Sequence, residues 1–134
     1  MSLQSFQDLL HAAAAQTEPQ RLLLVFAGAS LPDDATPAQR AAFEAGEAGE
    51  LAPLMCVDKA PSELADFGAL VAEAQAFGPP WVLVFAAALG GQGGQPPAAA
   101  AVDAALQRMV ESVRVGDIGR FLAFDRDGRA VQLG

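Results

Sequence analysis

The run Leu22-Leu23-Leu24-Val25-Phe26-Ala27 is the feature that most constrains this chain. It is apolar without alternation and is ended by Gly28. A strand wetted on one side alternates polar with apolar residues, so a strand that does not alternate must be covered on both faces. The fold class that follows is α/β, with layers of helix on either side of a sheet.

Other segments supply those layers. Leu3, Phe6, Leu10 and Ala13 recur at helical spacing, with Ser2 as a possible cap and an end near Ala15. Thr36-Pro37-Ala38-Gln39 reads as a capping box opening a weakly apolar second helix, which Gly46 and Gly49 should end. Leu51 to Val57 reads as a second strand, and Pro53 favours a sheet edge or a strand beginning. Ser62 caps a third helix with Leu64, Phe67, Leu70, Val71, Ala74 and Phe77 on its inner face, and Gly78-Pro79-Pro80 stops it.

Trp81-Val82-Leu83-Val84-Phe85 begins a third buried strand. A Gly-rich segment, Gly90 to Pro97, reads as a flexible connection to a fourth helix. That helix carries Val102, Ala105, Leu106, Met109, Val110 and Val113 on its core face and ends near Gly116. Asp127-Gly128 signals a two-residue hairpin that would pair Phe124 with Val131 and Leu122 with Leu133. The expected order is α-β-α-β-α-β-α-β-β in a single mixed sheet of about five strands, with parallel pairs, flanking helices and a C-terminal hairpin. No repeat or long linker divides residues 1–134, so one domain is expected.

Composition excludes several partners. The chain has 134 residues, 52% of them hydrophobic and 18% charged, which suits a packed core rather than disorder. Eight basic residues face sixteen acidic ones, a net charge of −8. Nucleic acid and anionic membrane surfaces are therefore poor partners. The arginines Arg108, Arg114, Arg120, Arg126 and Arg129 gather late in the sequence, and most acids lie between Asp33 and Glu73. The apolar runs are too short to cross a membrane as helices, and Met1 to Ser5 has no basic start of a secretory signal. The expected location is cytoplasmic.

The candidate chemistry is sparse. Cys56 is the only cysteine, so no intrachain disulfide can form. It stands in Leu54-Met55-Cys56-Val57-Asp58-Lys59, where Asp58 would share its face of a strand and oppose a thiolate. A buried structural cysteine is the plainer account. Gly91, Gly93 and Gly94 lie between a strand and a helix, where amides can hold an anion. Neither a dinucleotide fingerprint nor a P-loop is completed there, so a simple connection competes with a binding role. His11, the only histidine, cannot build a zinc site alone. Asp125-Arg126-Asp127-Gly128 lacks the remaining ligands of a calcium loop and is explained by a turn. No cofactor and no catalytic residue are expected.

Pro53-Leu54-Met55-Cys56-Val57-Asp58-Lys59, with Gln107-Arg108-Met109-Val110 and the ending at Phe124-Asp125, resembles a group of short bacterial proteins, some labelled ribonucleotide reductase subunit alpha. Catalytic subunits of that enzyme are much larger barrels that use several cysteines, and a single Cys56 does not supply that set. A short apolar strand, a polar turn and a Leu/Phe-bearing helix also resemble the N-terminal domain of the SseB family, which implies no catalytic residues. The leading expectation is a non-enzymatic binding or assembly module, a homodimer. The alternative is a small-molecule ligand or enzyme site at the strand ends, using Cys56, Asp58, Lys59 and the Gly91-Gly93-Gly94 segment.

Overall fold

The structure, a computed structural model, describes residues 3–30, 34–44, 50–77 and 81–131. Its elements are α1 (Phe6–Ala14), β1 (Gln20–Ser30), α2 (Pro37–Glu44), β2 (Glu50–Lys59), a 3-10 turn at Pro61–Glu63, α3 (Phe67–Phe77), β3 (Leu83–Gly90), α4 (Ala99–Arg114), β4 (Leu122–Phe124) and β5 (Ala130–Val131). The strands form one five-stranded sheet in the order β2-β1-β3-β4-β5.

The apolar run does what its pattern requires. Leu22, Leu24 and Phe26 pack on one face with α1, α3 and Trp81. Leu23, Val25 and Ala27 pack on the other, under Val102, Leu106, Met109 and Val113 of α4. Every residue from Leu22 to Ala27 is buried. At about 1.5–3 kcal/mol for each fully buried large apolar side chain, this strand is the largest single source of core stabilisation. Aromatic edges add to it: Phe26 meets Trp81 at 5.0 Å between ring centroids, and Phe6 meets Phe124 at 5.4 Å.

Strand direction corrects the expectation of a mixed sheet. Each hydrogen-bonded pair of strands is antiparallel. Because β2 and β3 both run against β1, they run parallel to each other, but β1 lies between them. The β2-α3-β3 segment is thus a crossover of the expected kind, with the central strand inserted in its middle. Burial on both faces records the helical layers and carries no information on direction.

Side-chain oxygen acceptors set the starts of α1, α2 and α3, while α4 starts after Ala98 without a side-chain cap. Ser5 caps α1, its Oγ accepting from Asp8 N at 3.2 Å; Ser2 lies outside the described residues. Thr36 and Gln39 form the expected reciprocal box, Gln39 N donating to Thr36 Oγ1 at 3.1 Å and Thr36 N to Gln39 Oε1 at 2.8 Å. For α3 the cap is Asp66, whose Oδ1 accepts from Ala69 N at 2.9 Å, rather than Ser62. Pro61 opens a 3-10 turn that occupies Ser62, and the α-helix begins only after it. Gly46, Gly49, Gly78, Pro79 and Pro80 lie outside the described residues.

The C-terminal hairpin is out of the expected register by one residue. Phe124 pairs with Ala130, and Ala123 with Val131; Leu133 lies outside the described residues. The cause is Asp125. Its Oδ1 accepts from Asp127 N at 2.8 Å and from Arg129 N at 3.0 Å, so Asp125 and Arg129 close a three-residue loop. Gly128 takes φ +80°, the left-handed position such a loop needs. The amino-terminal segment then laces onto this hairpin: Phe6 N donates to Gly128 O at 2.8 Å and Ala130 N to Gln4 O at 2.9 Å. The β5 edge is thereby covered, and among the described residues β2 is left as the long open edge.

Candidate functional site: the β2 edge

The ladder between β1 and β2 explains the form of this edge. Phe26 faces Met55 and Ala27 faces Pro53, so Leu54 is an extra, bulged residue without a partner. A bulge beside a proline bends an edge strand and blunts it against pairing. From Met55 to Lys59 the ladder is regular again. Asp58 and Lys59 bring charge to its end, leaving Met55-Cys56-Val57 as an uncharged stretch whose outer backbone groups face no strand among the described residues.

Side chains of this stretch alternate between the two layers. Met55 and Val57 lie against the α3 side of the core. A cavity of about 210 Å³ opens there, lined by Met55, Val57, Phe26, Leu70, Ala74 and Glu73. Cys56 faces the α4 side, opposite Val25, and is exposed. A second concavity of about 400 Å³ lies on that face, lined by Cys56, Asp103, Leu106, Gln107, Val110 and Glu111. The edge is therefore hollow and largely apolar on both sides.

The residues singled out from sequence separate into different roles. Asp58 shares the Cys56 face, as period-2 alternation requires, but it is held by Arg21 Nε at 2.6 Å. Arg21 Nη1 reaches on to Glu63 Oε1 at 2.8 Å. The hydrogen bond to Asp58 holds the Arg21 guanidinium above its usual range. The Glu63 carboxyl is held below the usual glutamate range, first by the Ala60 N–H and then by the Arg21 and Lys59 charges. Lys59 points to the opposite face and pairs with Glu73 of α3 at 2.8 Å. These ion pairs tie β1, β2, the 3-10 turn and α3 together, and they leave Cys56 as the exposed group of the set.

The Gly-rich segment is an ordered hairpin rather than the flexible connection expected. Gln92 N donates to Gln95 O at 3.1 Å, and Gln95 N to Gln92 O at 3.0 Å. Gly93 and Gly94 between them take φ +59° and +80°, the signature of a type I′ turn. A Cβ on Gly91 would stand 1.7 Å from Gln95 O. Gly94 N donates to Glu18 Oε2 at 2.7 Å, so the carboxylate this turn holds is the chain's own. Gly90 faces Gln20 and Lys59 faces Leu22 on opposite sides of β1, so turn and strand end lie at one end of the sheet with β1 between them.

Among the described residues, no group of three or more His, Cys, Asp or Glu could hold a metal ion. No helix there is long and apolar enough to cross a membrane. No family model, no curated protein and no solved structure matches the chain.

Proposed function

We propose that this protein is a non-enzymatic assembly module that pairs through its β2 edge with a second copy of itself. The observation that carries the reading is the uncharged stretch Met55-Cys56-Val57, strand-open among the described residues, with a hollow on each face whose lining mixes apolar and acidic side chains. A two-fold axis perpendicular to a sheet must pass between two copies of one residue, because any other register would turn side chains to the wrong face. With Cys56 on that axis, Met55 of one copy faces Val57 of the other. The bulge at Leu54 ends the regular pairing opposite Asp58, so no like charges stand face to face within the paired stretch. The uncharged Met55-Cys56-Val57 centre adds no charge of its own to the repulsion expected between chains of net charge −8, which salt screens beyond about 8–10 Å. One cysteine, with no disulfide to make within the chain, also suits a reducing cytoplasm.

Facing Cα atoms in an antiparallel pair stand about 4.5–5.5 Å apart, within the range a disulfide spans. Mild oxidation of the folded protein should therefore give a Cys56-linked dimer faster than oxidation of the chain in urea at the same concentration. A folded-state rate no greater than the unfolded rate would remove the Cys56-centred register.

A further inference from the structure

A third concavity, on the opposite flank of α4, has a different chemistry. The ladder between β3 and β4 covers only Val84 to Ala86, yet β3 runs on to Gly90. Beyond Ala86 the two strands part, and Phe121 N turns back to Ile118 O at 3.2 Å instead of joining the ladder. The outward backbone groups of Ala87 to Leu89 thus have no strand partner among the described residues. The wedge between β3, the residues before β4, and α4 is a groove of about 510 Å³, in the size range of sites that hold small organic ligands.

Its floor and rim differ in polarity. Leu23, Ala87, Met109 and Phe121 line an apolar bed, kept open by the small Ala87 and Ala105 side chains. Arg108 and Ser112 of α4 and Arg120 from the opposite wall line its polar side. Arg108 makes no ion pair among the described residues. Arg120 reaches Asp117 only at 3.5 Å, with both side chains well exposed, and its guanidinium stands 5.9 Å from the Phe121 ring centroid. Glu111 also lines the groove, but both of its oxygens accept from Arg114. In a chain of net charge −8, a groove presenting the unpaired Arg108 and the loosely paired Arg120 runs against the bulk sign.

We propose that this groove binds a small amphipathic anion: one oxyanion head, carboxylate or phosphate, on an extended apolar body. The guanidinium groups of Arg108 and Arg120 take the head in paired N–H···O contacts, with the Ser112 hydroxyl available as a further donor. The apolar body lies along Ala87, Leu89 and Phe121, the partly exposed apolar residues of the groove, and displaces water from them.

Isothermal titration of the intact protein with decanoate, decyl phosphate, decanol and inorganic phosphate tests this. Saturable binding is expected for the two decyl anions, much weaker binding for decanol, and none for inorganic phosphate over the same range. Arg108→Ala and Arg120→Ala should each weaken the decyl anions about tenfold, the scale of one charged hydrogen bond, with little effect on decanol. Ala105→Phe fills the bed and should weaken all three decyl compounds while keeping both arginines. Trp81, packed on the opposite face of the sheet, reports that each variant is folded. If carboxylate binds and phosphate does not, the head is assigned as carboxylate, and the converse assigns phosphate. The proposal is overturned if neither decyl anion binds saturably, if the arginine variants bind as wild type does, or if inorganic phosphate competes as strongly as decanoate.

Discussion

A few single residues decide where this chain bends and locks. Gly128 occupies a left-handed conformation, and a Cβ there would meet the Phe67 ring at 3.0 Å. Gly128→Ala should therefore cost at least about 1–2 kcal/mol from backbone strain alone, read as a lower urea midpoint by the fluorescence of Trp81, the only tryptophan. Phe6 is fully buried between Phe67 and Phe124, and Phe6→Ala should cost about 3–5 kcal/mol in the same assay. Glu63 sets an acid limit. Its carboxyl is held below the ordinary value, so the folded state binds its proton less readily than the unfolded chain does. The resulting stability is present above the unfolded value of about 4.3 and is lost as pH falls through the lower folded value. Glu63→Gln should flatten the stability-against-pH curve in that acid window, and an unchanged curve would mean the Ala60 and Arg21 contacts contribute nothing. At this scale the sequence was partly legible. Alternation placed Asp58 with Cys56 and implied that Lys59 faces away, but nothing in the string showed that Arg21 and Glu73 would occupy those two charges.

At the scale of elements, capping chemistry accounts for most successes and for the main misses. The Thr36-Gln39 box was legible because both halves lie within one turn. The start of α3 was not, since Ser62 and Asp66 both suit a cap and only Pro61's 3-10 turn decides between them. Asp66→Ala should thus destabilise the protein by about 1 kcal/mol, while Ser62→Ala should leave the urea midpoint almost unmoved. Equal losses in the two variants would reassign the cap. The hairpin shows the same limit. Asp127-Gly128 announced a turn, but the acceptor at Asp125 lengthened its loop by one residue and shifted every pair after it. The glycines at 93 and 94 carried the opposite error. A composition that suits a loose linker also suits a type I′ turn, and the flanking Gln92 and Gln95 backbone bonds make it one.

At the scale of the whole molecule, the two-sided core was legible and the strand directions were not. The unbroken run at Leu22 to Ala27 demanded helices on both faces, and α1, α3 and α4 supply them. Direction depends on how each connection crosses the sheet, which no local pattern encodes. Pro53 did mark β2 as an edge, and with β5 covered by Gln4 and Ser5, β2 is the edge left open among the described residues. The groove beside Arg108 and Arg120 arises only because β3 outlasts β4, so spacing in the sequence could not reveal it. Self-pairing at β2 is the claim on which the proposed role stands, and sedimentation equilibrium across the micromolar range tests it most directly. The account predicts a mass rising with concentration from 13.8 kDa toward twice that value, and held at 13.8 kDa when Cys56→Lys puts a charge on the axis. A mass of 13.8 kDa at every concentration, or a dimer indifferent to Cys56→Lys, would contradict it.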